Sequence, residues 1–181
     1  MKIYFTASQE QKADFQHIYE RIVNYLEGQG HDVYKALYSG DVKEFSNLPE
    51  FKLNELSKEW FSQMAKADCA VVEGSYPSSI HTGYQLGQLV SQQKPTILIY
   101  KSNRNPIFAN GADSSRLIKS AYDEDILEDV LDWCLEEVKN TFNRRFTFYI
   151  SPEIDKMLNE ATERNSVSKS EFIRQLIKKE V

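Results

Sequence analysis

The sequence predicts an α/β protein, a doubly wound and mostly parallel sheet with helices on both faces, followed by a small module of different construction. Three observations carry this. Short apolar runs alternate with helical periodicities in the order βαβα over most of the chain. Two of those runs, 69–72 and 96–100, are apolar at nearly every position, as in strands buried on both faces of a parallel sheet. At Arg145 the pattern changes to strict apolar–polar alternation, and two short amphipathic helices follow.

Taken in order, residues 2–7 form the first expected strand. Phe15, Ile18, Tyr19, Ile22, Val23 and Leu26 then recur at i, i+3, i+4, i+7, i+8 and i+11, one stripe of a helix that Gly28 and Gly30 stop. Residues 31–36 read as the second strand and 37–51 as a loop containing Pro49. The next helix places Leu53, Leu56, Trp60, Met64 and Ala65 on one face. The third strand, 69–72, runs into a polar turn with Ser75, Pro77, Ser78 and Ser79. A helix is expected to reopen at Thr82 or Gly83 and to reach Gln93, with Gln85 in its first turn. After the fourth strand, 96–100, a long surface loop spans 101–115 and a short fifth strand 116–122. Ile126, Val130, Trp133, Cys134 and Val138 form the apolar side of the last helix before the change of pattern. Trp60 and Trp133 are expected in the core.

Length and composition narrow the functional classes. The 181 residues suffice for one ordinary domain plus a small module, and 41% hydrophobic with 27% charged residues describes a globular chain. No apolar run approaches the roughly 18 residues of a membrane span, and Met1 leads directly into a strand, so a cytoplasmic protein without a membrane partner is expected. Cys69 and Cys134 lack metal-ligand spacing and read as small buried hydrophobes. Neither a Walker loop nor a GxGxxG loop occurs, and no metal or cofactor is expected. Charge is uneven: residues 144–181 hold eight Lys/Arg against six Asp/Glu, a net of +2, which leaves −7 of the total −5 on residues 1–143. An acidic body with a mildly basic tail fits a tail that meets a polyanion.

In that tail, Phe146, Phe148 and Ile150 alternate with Arg145, Thr147 and Tyr149. Ser151 and Pro152 are an N-cap followed by a proline at the first helical position. Ile154, Leu158 and Ala161 line the first helix. Ser168-Lys169-Ser170-Glu171 is a capping box that opens a second one, with Phe172, Ile173, Leu176 and Ile177 apolar. One strand and two short helices cannot bury Phe146, Phe148 and Ile150 alone, whereas a second copy of the strand can; the module is expected to be a homodimer through that strand. These residues resemble the ribbon-helix-helix family of DNA-binding proteins, the class of Arc and MetJ. The resemblance implies a two-stranded ribbon in the major groove of duplex DNA, with Arg145, Thr147 and Tyr149 facing the bases. It also implies that Ser168, Lys169 and Ser170 hold phosphate at a helix N-terminus. The other reading of the module is dimerisation without DNA.

The larger part carries K-I-Y-F-T-A-S at its start, the strand A-D-C-A-V-V-E, and P-S-S-I-H-T-G-Y-Q-L-G followed by K-P-T-I-L-I-Y. Over residues 1–135 these motifs resemble the nucleoside 2-deoxyribosyltransferase superfamily, most closely the 2'-deoxynucleoside 5'-phosphate N-hydrolases. The resemblance implies a flavodoxin- or Rossmann-like sheet and a sugar site beside the third strand. The family's helix motif is Gly-Tyr-Glu-Leu-Gly, in which the Glu attacks the anomeric carbon. Here that position is Gln85, a neutral amide that cannot act as a carboxylate nucleophile. A family Asp is replaced by Trp60, with Glu59 beside it, and the family's opening Gly-Ser is Ala7-Ser8.

The candidate ligand-binding residues are accordingly Tyr4, Ser8, Glu73, Ser78, Ser79, His81, Gly83 and Gln85. Glu73 reads either as a ligand-facing carboxylate or as a solvated charge at a strand end, His81 as a pocket residue or an exposed loop histidine, and the serines as ligand donors or ordinary turn residues. Gln85 reads as a degenerate nucleophile position or as an ordinary polar helix residue. Residues 1–140 are thus expected to form a nucleoside- or nucleotide-binding domain without an intact catalytic site, and 144–181 a dimerising DNA-binding module. Together they predict a ligand-responsive transcriptional regulator. Two alternatives stand beside it: an N-glycosidase or deoxyribosyltransferase in which Glu73 or Glu59 supplies the missing carboxylate, and a homodimeric scaffold that binds no DNA.

Overall fold

A computed structural model describes residues 1–36, 47–112, 114–141, 149–165 and 169–179. The chain divides into two compact units, Met1–Arg144 and Arg145–Val181.

The first unit is a five-stranded parallel sheet in the order β2-β1-β3-β4-β5, built from β1 (Lys2–Ala7), β2 (Asp32–Lys35), β3 (Cys69–Glu73), β4 (Thr96–Lys101) and β5 (Leu117–Tyr122). This is the flavodoxin-like order, with its topological switch between β1 and β3. Helix α1 (Lys12–Gly28) buries the six residues of the expected stripe. It ends through Gly30, whose φ of +78° suits only a residue without Cβ, while His31 N–H bonds back to the Leu26 carbonyl at 3.1 Å. Central β3 is buried at every position and the edge strands β2 and β5 only in part. Alternation along the strands divides the core into two layers. Ile3, Phe5, Cys69, Val71, Ile97 and Ile99 meet α1 and the helix α4 (Leu127–Thr141). Tyr4, Ala70, Val72 and Leu98 face the other way, toward α2 (Glu50–Lys66) and α3 (Ile80–Ser91).

Several expectations are corrected. Helix α3 begins at Ile80, because Ser79 Oγ accepts from Thr82 N–H and caps the helix there; Gln85 therefore lies in the second turn, and the helix ends at Ser91. Of the stripe assigned to α2 only Met64, near the C-terminal end of the helix, is buried; Leu53 and Ala65 are exposed and Trp60 is half-buried. Trp133 is 52% exposed rather than core: α4 presents Leu127, Leu131, Cys134, Leu135 and Val138 instead, a stripe rotated away from Trp133. Both cysteines are free and buried.

In the second unit, Ser151 Oγ accepts from Ile154 N–H at 3.3 Å and α5 (Pro152–Asn165) follows, as the Ser-Pro pair predicts. Helix α6 (Lys169–Lys179) packs against α5, and Lys169 Nζ pairs with Asp155 Oδ1 at 2.7 Å. Ile154, Met157, Leu176 and Ile177 are all more than 45% exposed in the single protomer. The expected strand 145–150 lies outside the described residues except for Tyr149 and Ile150, which belong to no regular element. Among the described residues no helix is long and apolar enough to cross a membrane.

Candidate functional site

The C-terminal ends of β1 and β3 flank the switch point, where an open α/β sheet holds its ligands. Side chains 4, 6 and 8 of the first strand and its continuation point toward α3. Tyr4 OH donates to Gln85 Oε1 at 3.3 Å, and Ser8 Oγ accepts from Ser79 N–H at 3.1 Å, so Tyr4 and Ser8 pin α3 at two places. Between them Thr6 Oγ is buried and has no hydrogen-bond partner. Tyr4 is fully buried, which pushes its phenol well above the ordinary range. The Tyr34 ring stacks on it with centroids 5.7 Å apart, because Tyr4 and Tyr34 are register partners in β1 and β2. Burial, followed by the charge of Glu59 and a hydrogen bond to it, pushes Tyr34 up to about 12. Glu59, Tyr34, Tyr4 and Gln85 thus form one continuous series.

Glu73 is placed elsewhere. As an odd-numbered residue of β3 it points to the α1 side of the sheet, away from Gln85, and it is 0% exposed, so it is not a solvated charge at a strand end. Its Oε1 accepts from Tyr122 OH at 3.1 Å, from Ser75 N–H at 3.3 Å and from Ser75 Oγ. Its Oε2 is unpartnered. Burial pushes the carboxyl up to about 7 against the opposing hydrogen bonds of Ser75 and Tyr122. Ser75 Oγ also accepts from Lys101 N–H at 2.9 Å, which ties the ends of β3 and β4 together.

The remaining candidates also separate. Ser78, Ser79 and Gly83 line a groove of about 730 Å³ on the far flank of α3, together with Ile80, Tyr84, Gly87 and Val90. At 100° per residue Gln85 points about 160° away from both Gly83 and Gly87, so the groove and the Gln85 site occupy opposite flanks of one helix. His81 is exposed. The structure therefore pairs Tyr4 with Gln85 and Ser8 with Ser79, places Ser79 also at the edge of the groove, and leaves Glu73, Ser78, His81 and Gly83 outside both pairs. Reading the sequence missed Tyr34 and Tyr122. The signal for Tyr34 was present, since K-I-Y-F and D-V-Y-K put tyrosine at the same step of adjacent strands. Among the described residues no group of His, Cys, Asp or Glu is arranged to hold a metal ion.

Because the Tyr4 hydroxyl donates to an otherwise buried amide, Tyr4→Phe is expected to cost about 1 kcal/mol of stability. Chemical denaturation of the two proteins measures it, and an unchanged midpoint would show that the 3.3 Å contact contributes nothing.

Of the candidate DNA contacts, Arg145, Thr147 and Ser168 lie outside the described residues. Tyr149 is fully exposed, Ser170 lies in the first turn of α6, and Lys169 is the residue paired with Asp155.

The comparison with curated proteins finds no significant match. A family model described as ribbon-helix-helix protein, copG family, matches residues 144–181. Among solved structures, the CMP N-glycosidase BcmB of Clostridium botulinum superposes with a TM-score of 0.52 at 17% identity, over 73% of this chain and 99% of that one. The chain thus joins a ribbon-helix-helix segment to a larger domain that shares the fold of that N-glycosidase.

Proposed function

We propose that this chain is a DNA-binding transcriptional regulator whose larger domain is a catalytically degenerate relative of the deoxyribosyltransferase-like enzymes, retaining nucleoside or nucleotide recognition as a sensor. The observation that carries the reading is the buried Tyr4–Gln85 contact at the switch point. The amide stands where the resembling enzymes place their carboxylate nucleophile, and a neutral carbonyl oxygen held by a phenol neither attacks an anomeric carbon nor supplies charge to an oxocarbenium-like centre. The ribbon-helix-helix match supplies the output, and its exposed Ile154, Met157, Leu176 and Ile177 are the surface that pairing with a second copy covers.

Tyr4, Ser8 and Gln85 are closed over in the protomer, each no more than 5% exposed. A nucleoside reaches Gln85 only when the surrounding segments part, and a ligand that binds the parted form preferentially shifts the population toward it. The wild-type chain is expected to release no free base from deoxynucleosides or their monophosphates, and its melting temperature is expected to rise with the ligand. A ligand at about 100 times its Kd adds about 2.7 kcal/mol. Gln85→Glu is expected to bring measurable base release. Turnover by the wild type would replace this reading with an N-glycosidase one. The observation favouring that second reading is the position of Glu59, which joins the Gln85 group through Tyr34 and Tyr4. In that case Glu59→Gln would abolish the turnover.

A further inference from the structure

Two ion pairs lie among the described residues of the second unit. Arg164 and Glu160 face each other at 3.6 Å one turn apart on α5, an ordinary helix-surface pair. The other joins two helices: Lys169 Nζ, on the first residue of α6, lies 2.7 Å from Asp155 Oδ1 in the first turn of α5. The carboxylate is steadied from its own helix, because Asn159 Nδ2 donates to Asp155 Oδ2 at 3.4 Å. The contact has the spacing of a charge-assisted bond, and the lysine's hydrogen bond and charge hold the Asp155 carboxyl below its ordinary range. A cation on the first turn of a helix, beside that end's unpaired N–H groups, is an arrangement that receives backbone phosphate. Here an oxyanion of the chain itself already holds the ammonium.

Resting on the DNA-binding reading above, we propose that Asp155 is an intramolecular competitor of DNA phosphate for Lys169 and lowers affinity for duplexes of every sequence alike. Lys169 has to leave the carboxylate before it can meet a phosphate. The exchange frees an acid beside the polyanion, so fewer counterions are released on balance than when an unpaired lysine binds. Both partners are roughly half-exposed, and water and salt weaken such a pair, so it tempers binding without forbidding it. With eight Lys/Arg against six Asp/Glu in residues 144–181, each cation withheld is a large share of the module's attraction for a polyanion. Phosphate contacts carry no sequence information, so discrimination made through base contacts is left as it is.

The test uses the full-length chain and a random-sequence duplex, which reads phosphate contacts without an operator. Asp155→Asn keeps an oxygen for Asn159 and removes the charge that holds Lys169. It is expected to bind about 3- to 10-fold more tightly at roughly 100 mM salt and to steepen the salt slope by about 0.9. Asp155→Ser, a second variant without the carboxylate, is expected to show the same gain. Adding Lys169→Ala to Asp155→Asn is expected to cancel it, and Asp155→Glu, which restores a carboxylate, to bind as the wild type does. Glu153→Gln takes the same charge from the same turn and leaves the pair in place, so its gain is expected to stay below about twofold. Equal affinities and slopes for the wild type and both Asp155 variants overturn this proposal and leave DNA binding standing. So does a gain that survives Lys169→Ala, or one that Glu153→Gln matches, which would make the effect one of net charge. Binding by none of these proteins, or binding indifferent to salt, removes the DNA-binding reading and this proposal with it.

Discussion

Glu73→Gln is expected to stabilise the larger domain at pH 8 by about 3 kcal/mol and to flatten its stability between pH 5 and about 7. The Glu73 carboxyl is pushed from 4.5 to about 7 by burial in the folded state. An acid whose folded value lies above its unfolded one binds its proton more tightly when folded. Below about pH 4.5 both states are protonated and the difference vanishes. As pH rises from 4.5 toward 7 the unfolded chain has already lost the proton that the folded chain keeps, so stability falls, and above about 7 the full cost of a buried carboxylate is present. Glutamine keeps an oxygen for Tyr122 and Ser75 without a charge to bury. Denaturation midpoints measured from pH 5 to 8 should converge at the acid end and separate toward pH 8. Parallel profiles for the two proteins would mean that Glu73 is not the titrating group.

The second large effect concerns DNA. Affinity of the full chain for its duplex site is expected to fall by about 10³ to 10⁵ between roughly 50 and 200 mM salt, the range for six to ten neutralised phosphates. Arg145→Ala is expected to cost about 1–3 kcal/mol and to relax sequence preference, because an arginine reading a base edge carries discrimination. Lys169→Ala is expected to change the salt slope by less than one, since its ammonium is already paired with Asp155 at 2.7 Å. Binding isotherms at several salt concentrations separate the cases. An affinity indifferent to salt would remove the DNA-binding reading and leave a dimerising module.

The parts of this protein that could be read beforehand are those in which one residue's chemistry is decided locally. The α1 stripe from Phe15 to Leu26 was legible because its six apolar residues repeat at helical spacing and all six are buried. Ser151-Pro152 was legible because a cap and a fixed φ act within one turn. Thr82 or Gly83 was read as the start of α3, and the helix starts at Ile80 because Ser79 caps it, a choice among neighbouring serines that the turn chemistry alone leaves open. Trp133 failed for a related reason: α4 has two adjacent apolar stripes, and the packing against β5 selects the one holding Leu131 and Leu135.

The candidate site divides in the same way. Fold class, the change of construction after residue 140 or so, and the amide at position 85 are legible along the chain, because periodicity, turn chemistry and residue identity are written in its order. Where the chemistry-bearing side chains lie depends on how the elements pack. Strand parity sends Glu73 to the α1 layer and Tyr4 to the α3 layer, and parallel register sets Tyr34 against Tyr4 across 30 residues of chain. Helical rotation then puts Gly83 and Gln85, two residues apart, on opposite flanks of α3. Proximity of this kind depends on which face of a strand or helix meets which neighbour, and that is settled by packing the whole core at once.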